Sequence, residues 1–125
     1  MAAVLSCIMP VYNGEEYLEK SVQSVLDQSF AWFELILVND GSTDRTADLC
    51  AEFARKDERV RVLTQPNKGA AAARNAGIQA AEGRYITFVD ADDMLLPKAF
   101  EKTVQAMENR ELDLVSFNLS FCSDT

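Results

Sequence analysis

The feature that most restricts this chain is the alternation of short apolar runs with longer amphipathic stretches. Glu34-Leu35-Ile36-Leu37-Val38 is the clearest run. It is almost continuously apolar, as expected of a strand whose sheet is covered on both faces. Residues 4–9 read as an earlier strand stopped by Pro10, and residues 60–63 as a third strand whose alternation suits a more exposed place. Residues 85–89 read as a fourth strand and residues 112–119 as a fifth. Helical stripes lie between them. Residues 15–28 carry Leu18, Val22, Val25 and Leu26, and residues 43–56 carry Leu49, Cys50 and Phe53. Residues 70–81 are rich in alanine, so this helix can lie close to the sheet, with Gly83 as its expected stop. Pro97 suits the first turn of a fourth helix with the stripe Phe100, Val104 and Met107. The pattern predicts an α/β fold: a Rossmann-like, mostly parallel sheet with helices on both faces.

Such sheets bind ligands at the carboxyl ends of their strands, near the point where strand order reverses. The loops expected there are "PVYNGE", "NDGSTD" and "DADDML". All are polar and turn-forming, and all fall on one edge. Composition narrows the ligand. The chain has 125 residues, a formal charge of −8 and no histidine, so nucleic acid and anionic membrane surfaces would repel it. An anionic ligand would need local attraction from a few basic residues, backbone N–H groups or a metal ion. Three scattered cysteines, Cys7, Cys50 and Cys122, show no metal-binding or paired spacing and read as reduced. No leader-like N-terminus or membrane-length apolar run is present, so a cytoplasmic setting is expected.

The acids carry the sharpest chemistry. Asp90, Asp92 and Asp93 directly follow the apolar run Ile86-Thr87-Phe88-Val89. In extended backbone Asp90 and Asp92 point to the same side. Together they offer the oxygen-rich setting that Mg2+ or Mn2+ favours, and a cation would offset their mutual repulsion. The plainer alternative is a solvated turn in which Asp92 or Asp93 caps the next helix. Asp40 ends the second strand beside Gly41, where its carboxylate could accept the N3–H of uracil or simply belong to a common Asp-Gly turn. Asp44 or Thr43 is expected to cap the helix that follows. Tyr12 could stack on a flat base or lie half-buried in a turn. Gly14 permits close backbone approach at a helix N-terminus. Lys68 and Arg74, at and inside the start of the third helix, could pair with phosphate or with the acids, or be solvated; Arg74 fits a surface role less well.

"CIMPVYNGEEYLEKSVQSVLDQSF", "ELILVNDGSTDRT", "NKGAAAARNAGI" and "AEGRYITFVDADD", in this order and spacing, resemble the successive blocks of family 2 glycosyltransferases with the GT-A fold. The resemblance runs from about residue 4 to Pro97. It implies a nucleotide-sugar pocket lined by Pro10, Val11, Tyr12 and Asn13, with Tyr12 near the base and Asp40 at the uracil edge. Lys68 and Gly69 would lie beside the nucleotide, and Arg74 is counted with the same pocket. The D-x-D signature falls on Asp90-Ala91-Asp92. It implies that Asp92 coordinates Mn2+ or Mg2+ on the donor diphosphate, while Asp90 faces ribose or the metal's waters; Asp93 either stands behind these two or prepares the turn into Pro97.

The family inverts the sugar: a carboxylate base in the acceptor half deprotonates the acceptor hydroxyl. A whole GT-A domain needs roughly 200 residues or more, so residues 1–125 are expected to be a donor-binding part cut before the acceptor half. The base is then expected beyond Thr125, and this portion alone is expected to be inactive. The full enzyme is expected to move a sugar from a nucleoside-diphosphate sugar, a UDP-sugar, to a glycan or lipid-linked acceptor, in the cytoplasm or at the inner face of a membrane. Truncation would leave a sheet edge open to self-association. The rival reading is a non-catalytic nucleotide-sugar-binding module. A phosphoryl-receiver domain lacks its acid pair and its lysine here, and a dinucleotide-dependent dehydrogenase lacks G-x-G-x-x-G.

Overall fold

The computed structural model describes residues 3–110, so the expected fifth strand at 112–119 and Cys122 lie outside the described residues. Eight elements alternate: β1 (Leu5–Val11), α1 (Leu18–Leu26), β2 (Phe33–Asp40), α2 (Thr46–Lys56), β3 (Val60–Gln65), α3 (Ala70–Ala80), β4 (Tyr85–Phe88) and α4 (Ala99–Arg110). The strands form one sheet in the order β3-β2-β1-β4, with every pairing parallel. The chain therefore builds outward from β1 to β3, then crosses back to place β4 on the other side of β1. That reversal puts the switch point between β1 and β4. No helix among the described residues is long and apolar enough to cross a membrane.

Alternating residues of the central strands feed two cores. On one face Leu5, Cys7, Met9, Phe33, Leu35 and Leu37 pack with Leu18 and Val22 of α1, Cys50 of α2, and Phe100 and Val104 of α4. Phe33 and Phe100 meet edge to face, with ring centroids 5.3 Å apart. On the other face Ile8, Ile36 and Val38 pack against Ala73 of α3. Every residue of β2 is buried, which is why its sequence shows so little alternation. β3 lies at the sheet edge and is only partly covered, in keeping with its pattern. The small residues of α3 let it lie close: a Cβ added at Gly77 would stand 2.5 Å from Cγ2 of Ile8. Cys7 and Cys50 are buried free thiols, and burial raises the pKa of both, that of Cys50 to about 11.

Two expected stops fall differently. β1 does not end at Pro10 but runs on to Val11, paired with Asn39 of β2. The carbonyls of Val4 and Ile8 accept from Tyr85 and Val89, so even-numbered residues of β1 turn their peptide groups toward β4. Pro10 shares that parity, and the ladder with β4 has already ended at Phe88. Its missing N–H therefore costs no ladder bond. Gly83 does not stop α3; the helix closes at Ala81 with extended backbone. Gly83 is needed for close approach, because a Cβ there would lie 2.7 Å from the Ser6 nitrogen. Its N–H donates to Ser6 Oγ at 2.8 Å, and that hydroxyl donates to Glu34 at 2.6 Å. Arg61 and the Glu82 N–H also donate to Glu34, at 2.8 and 2.6 Å. This buried polar knot ties the end of α3 to the sheet.

Helix starts also come later than the apolar pattern suggests. α1 begins at Leu18 and α2 at Thr46. Residues 13–15 and 42–46 are occupied with one another instead, as the site shows.

Candidate functional site

The acid loop leaves the carboxyl end of β4 beside the switch point. Val89, Ala91 and Leu95 are buried and hold the loop down, while Asp90 and Asp92 are exposed and Asp93 is half-buried. The Asp93 N–H donates to the Asp90 carbonyl at 3.1 Å, closing a tight turn. One carboxylate oxygen from each of Asp90, Asp92 and Asp93 lies within 4.8 Å of the others. Burial raises the Asp93 pKa, and the charges of Asp92 and Asp90 raise it further. An all-oxygen set this close fits a hard divalent cation. Arg74 reaches toward Asp90 with Nη2 3.8 Å from Oδ1, and both side chains are well exposed, so the attraction is weak.

The segment behind the acids is fixed by α1. Ser24 Oγ accepts the Leu95 N–H at 3.1 Å. The Gln28 amide donates to the Leu96 carbonyl at 2.7 Å and accepts the Phe100 N–H at 2.9 Å. Gln28 thus anchors both the exit of the acid loop and the start of α4. Tyr17, ahead of α1, has its pKa raised first by burial and then by the charges of Asp92, Asp44 and Glu16.

The loops after β1 and β2 are interlocked. Asn13 adopts a φ of 50°, a left-handed conformation that asparagine tolerates. Its N–H donates to Ser42 Oγ at 2.9 Å, and its Oδ1 accepts the Thr43 N–H at 2.7 Å. Gly14 donates to Thr46 Oγ1 at 2.8 Å, and the Glu15 carboxylate accepts the Arg45 N–H at 2.8 Å. Asp44 accepts from Thr46 at 2.9 Å and from Glu15 at 3.2 Å. It thus satisfies an N–H at the start of α2 and ties the two loops together. Beside this unit Tyr12 projects, 48% exposed.

Asp40 lies at the end of β2 and is buried. Burial alone would raise its pKa, but hydrogen bonds from the Gln65 side chain and from the Lys68 and Gly69 amides hold it below the usual carboxylate range. The structure thus joins Asp40 to Lys68 and Gly69, joins Arg74 to Asp90, and gathers the three acids. Pro10 and Val11 finish β1 and lead into Tyr12 and Asn13. Sequence reading passed over Gln65, Asn67, Ser24 and Gln28. Gln65 and Asn67 flank Pro66 in a turn after a strand, which is a local signal for loop-ordering side chains; Ser24 and Gln28 gave no local signal, since their partners lie some 70 residues away.

A fully parallel sheet of this order, covered on both faces and with carboxylates gathered past its carboxyl edge, is a Rossmann-like α/β domain consistent with half of a GT-A fold. The sequence model described as Glycosyl transferase family 2 matches residues 6–125, and the chain belongs to that family. It is 42% identical over 115 residues to the uncharacterized glycosyltransferase EpsJ of Bacillus subtilis, covering 92% of this chain and 33% of that protein. It is 43% identical over 119 residues to the glycosyltransferase GlyG of Streptococcus pneumoniae, covering 94% of this chain and 40% of that protein. The crystal structure of S. aureus TarS 1–349 with UDP-GlcNAc superposes with a TM-score of 0.80 at 28% identity, over 86% of this chain and 32% of that one. The mannosyltransferase PcManGT from Pyrobaculum calidifontis, in complex with GDP-Man and Mn2+, shares the fold with a TM-score of 0.78 at 20% identity, over 86% of this chain and 33% of that one. The chain spans only 33% and 40% of the length of EpsJ and GlyG.

Proposed function

We propose that these residues form the donor-binding part of a metal-dependent, inverting glycosyltransferase that takes a nucleoside-diphosphate sugar, with a UDP-sugar as donor. The observation that carries this reading is the acid cluster, with carboxylate oxygens within 4.8 Å of one another at the carboxyl edge of a parallel sheet. The UDP-GlcNAc complex of TarS, on the same fold at 28% identity, supports the donor class. Asp92 and Asp90 would hold Mn2+ or Mg2+, with Asp93 behind them. A cation held there would supply positive charge to offset that of the departing diphosphate.

The chain's own residues do the rest. Pro10, Val11, Tyr12 and Asn13 border the nucleotide, and the exposed ring of Tyr12 offers a face for the base. Lys68 and Gly69 would lie beside the nucleotide, with Asp40 hydrogen-bonded to their backbone. Arg74 balances Asp90, and the buried Ala91 fixes the spacing of the acids around it. The acceptor, a glycan or a lipid-linked sugar, would meet its general base in the acceptor half of the full enzyme.

Calorimetry with UDP tests this reading. Binding is expected to tighten at least tenfold in Mn2+ relative to a metal-free buffer, a difference of about 1.4 kcal/mol. Asp92→Ala is expected to abolish that difference while leaving the far-UV spectrum unchanged. UDP affinity that ignores Mn2+ in the unaltered protein would reject the assignment.

A further inference from the structure

The acid loop is short, and its two ends are fixed by different parts of the fold. At its start the Val89 N–H donates to the Ile8 carbonyl of β1 at 3.0 Å, which ties the loop to the sheet. At its exit three consecutive residues are held by the end of α1 and the turn beyond it. The Leu95 N–H donates to Ser24 Oγ at 3.1 Å. The Leu96 carbonyl accepts the Gln28 amide at 2.7 Å, and the Pro97 carbonyl accepts the Ser29 N–H at 2.9 Å. Between these ends the bond from the Asp93 N–H to the Asp90 carbonyl closes the turn.

The anchoring groups are themselves locked. Ser24 directs its own proton to the Ser21 carbonyl at 2.7 Å, so its lone pairs are what it offers Leu95. Gln28 is buried, and its NH2 group donates to the Ser24 carbonyl, at 3.1 Å, as well as to Leu96. Its Oε1 accepts the Phe100 N–H at 2.9 Å. α1 is pinned to the core in turn through Leu18, Val22 and Val25, all fully buried. This arrangement works against electrostatic repulsion. Three carboxylates with oxygens within 4.8 Å of one another repel, and without a cation they favour a more open loop. Two fixed ends resist that opening. A site gathered in advance binds more tightly, because less ordering cost falls on the binding step.

Resting on the metal-site reading above, we infer that Ser24 and Gln28 are positioning residues. Acting through the backbone of Leu95 and Leu96, they hold the acid loop gathered, and α1 thereby sets the affinity of the acids for their cation.

Three substitutions and a control test this. Ser24→Ala leaves the Leu95 N–H without its acceptor, and Gln28→Met replaces the amide by an apolar chain of similar length. Ser24→Thr keeps the hydroxyl. Ser24 borders a cleft of about 320 Å3, faced by Met94, Leu95 and Pro97, which has room for the added methyl. Ser6→Ala breaks the polar knot at the opposite end of the sheet and serves as the control. UDP affinity is measured by calorimetry with and without Mn2+. The gain from Mn2+ is expected to fall about threefold in Ser24→Ala and about tenfold in Gln28→Met, and to return in Ser24→Thr. UDP affinity without metal is expected to stay within about twofold throughout. Ser6→Ala is expected to lower the melting temperature yet keep the full gain. NMR relaxation order parameters of Ala91, Asp92 and Asp93 are read without metal or nucleotide. They are expected to drop from about 0.85 toward about 0.6 in Ser24→Ala and Gln28→Met. Ser24→Ala carries the test by itself if Gln28→Met folds poorly. A full Mn2+ gain and an unchanged acid loop in folded Ser24→Ala would overturn the inference. So would a loss in Ser24→Thr or in Ser6→Ala as large as that in Ser24→Ala. The order parameters decide whether α1 holds the acid loop even if Mn2+ leaves the UDP affinity of the unaltered protein unchanged. That result would count against the donor-site reading alone.

Discussion

Asp93 shows how a site of like charges sets its own chemistry. Burial and the nearby charges of Asp92 and Asp90 raise its pKa, so ionised Asp93 destabilises the folded chain at neutral pH. Asp93→Asn is therefore expected to raise the melting temperature of metal-free protein by up to a few degrees. The same change is expected to weaken Mn2+ binding, and calorimetric melts with and without Mn2+ check both effects. A lower melting temperature in metal-free buffer would show that repulsion is not what dominates there. At this scale the acids were legible in the sequence because they follow an apolar run directly, and strand ends point at ligands. The setting of Asp40 was not legible. Its donors, Gln65, Lys68 and Gly69, lie 25 to 29 residues further along, and only the pairing of β2 with β3 brings them near.

At the scale of elements, α3 makes the clearest test. Gly→Ala inside an exposed helix usually gains about 1 kcal/mol in helix propensity. At Gly77 the new Cβ would stand 2.5 Å from Cγ2 of Ile8, a branched residue fixed in the central strand β1. Overpacking of this kind costs about 1–3 kcal/mol, so the clash outweighs the propensity. Gly77→Ala is expected to destabilise the protein by about 1–2 kcal/mol net, read from the urea midpoint. The alanine-rich pattern announced the close approach of α3, but not the residue at the point of contact. Pro10 teaches the complementary lesson. Proline ends a strand only where its missing N–H faces a partner, and that parity depends on the neighbouring strand. The starts of α1 and α2 were misplaced by three residues each for a related reason: long-range hydrogen bonds between their leading loops hold those residues out of the helices.

Across the whole molecule, buried and paired acids govern the response to pH. Burial alone would raise the pKa values of Glu34 and Asp40, and hydrogen bonds from their neighbours override it. Asp57 is lowered first by its hydrogen bond from Arg59. With pKa values below those of the unfolded chain, these groups bind fewer protons when folded, so their stabilisation is complete above the ordinary carboxylate pKa of about 4. It is lost as pH falls through the lower folded values. The urea midpoint is expected to drop steeply between about pH 4 and pH 2, and a flat profile would show that these bonds do not contribute. The two-sided burial of the sheet was legible from β2, whereas the polar knot around Glu34 was not, because a lone glutamate at the start of an apolar run looks like a surface residue. The interlocked loops after β1 and β2 carry a consequence for inheritance and engineering. Residues 13–15 and 42–46 supply each other's hydrogen bonds, so neither can be exchanged alone without orphaning groups on the other. They should pass between related enzymes as a cassette. A chimaera that receives both from one parent should fold as well as either parent, while one that mixes parents inherits the mismatch.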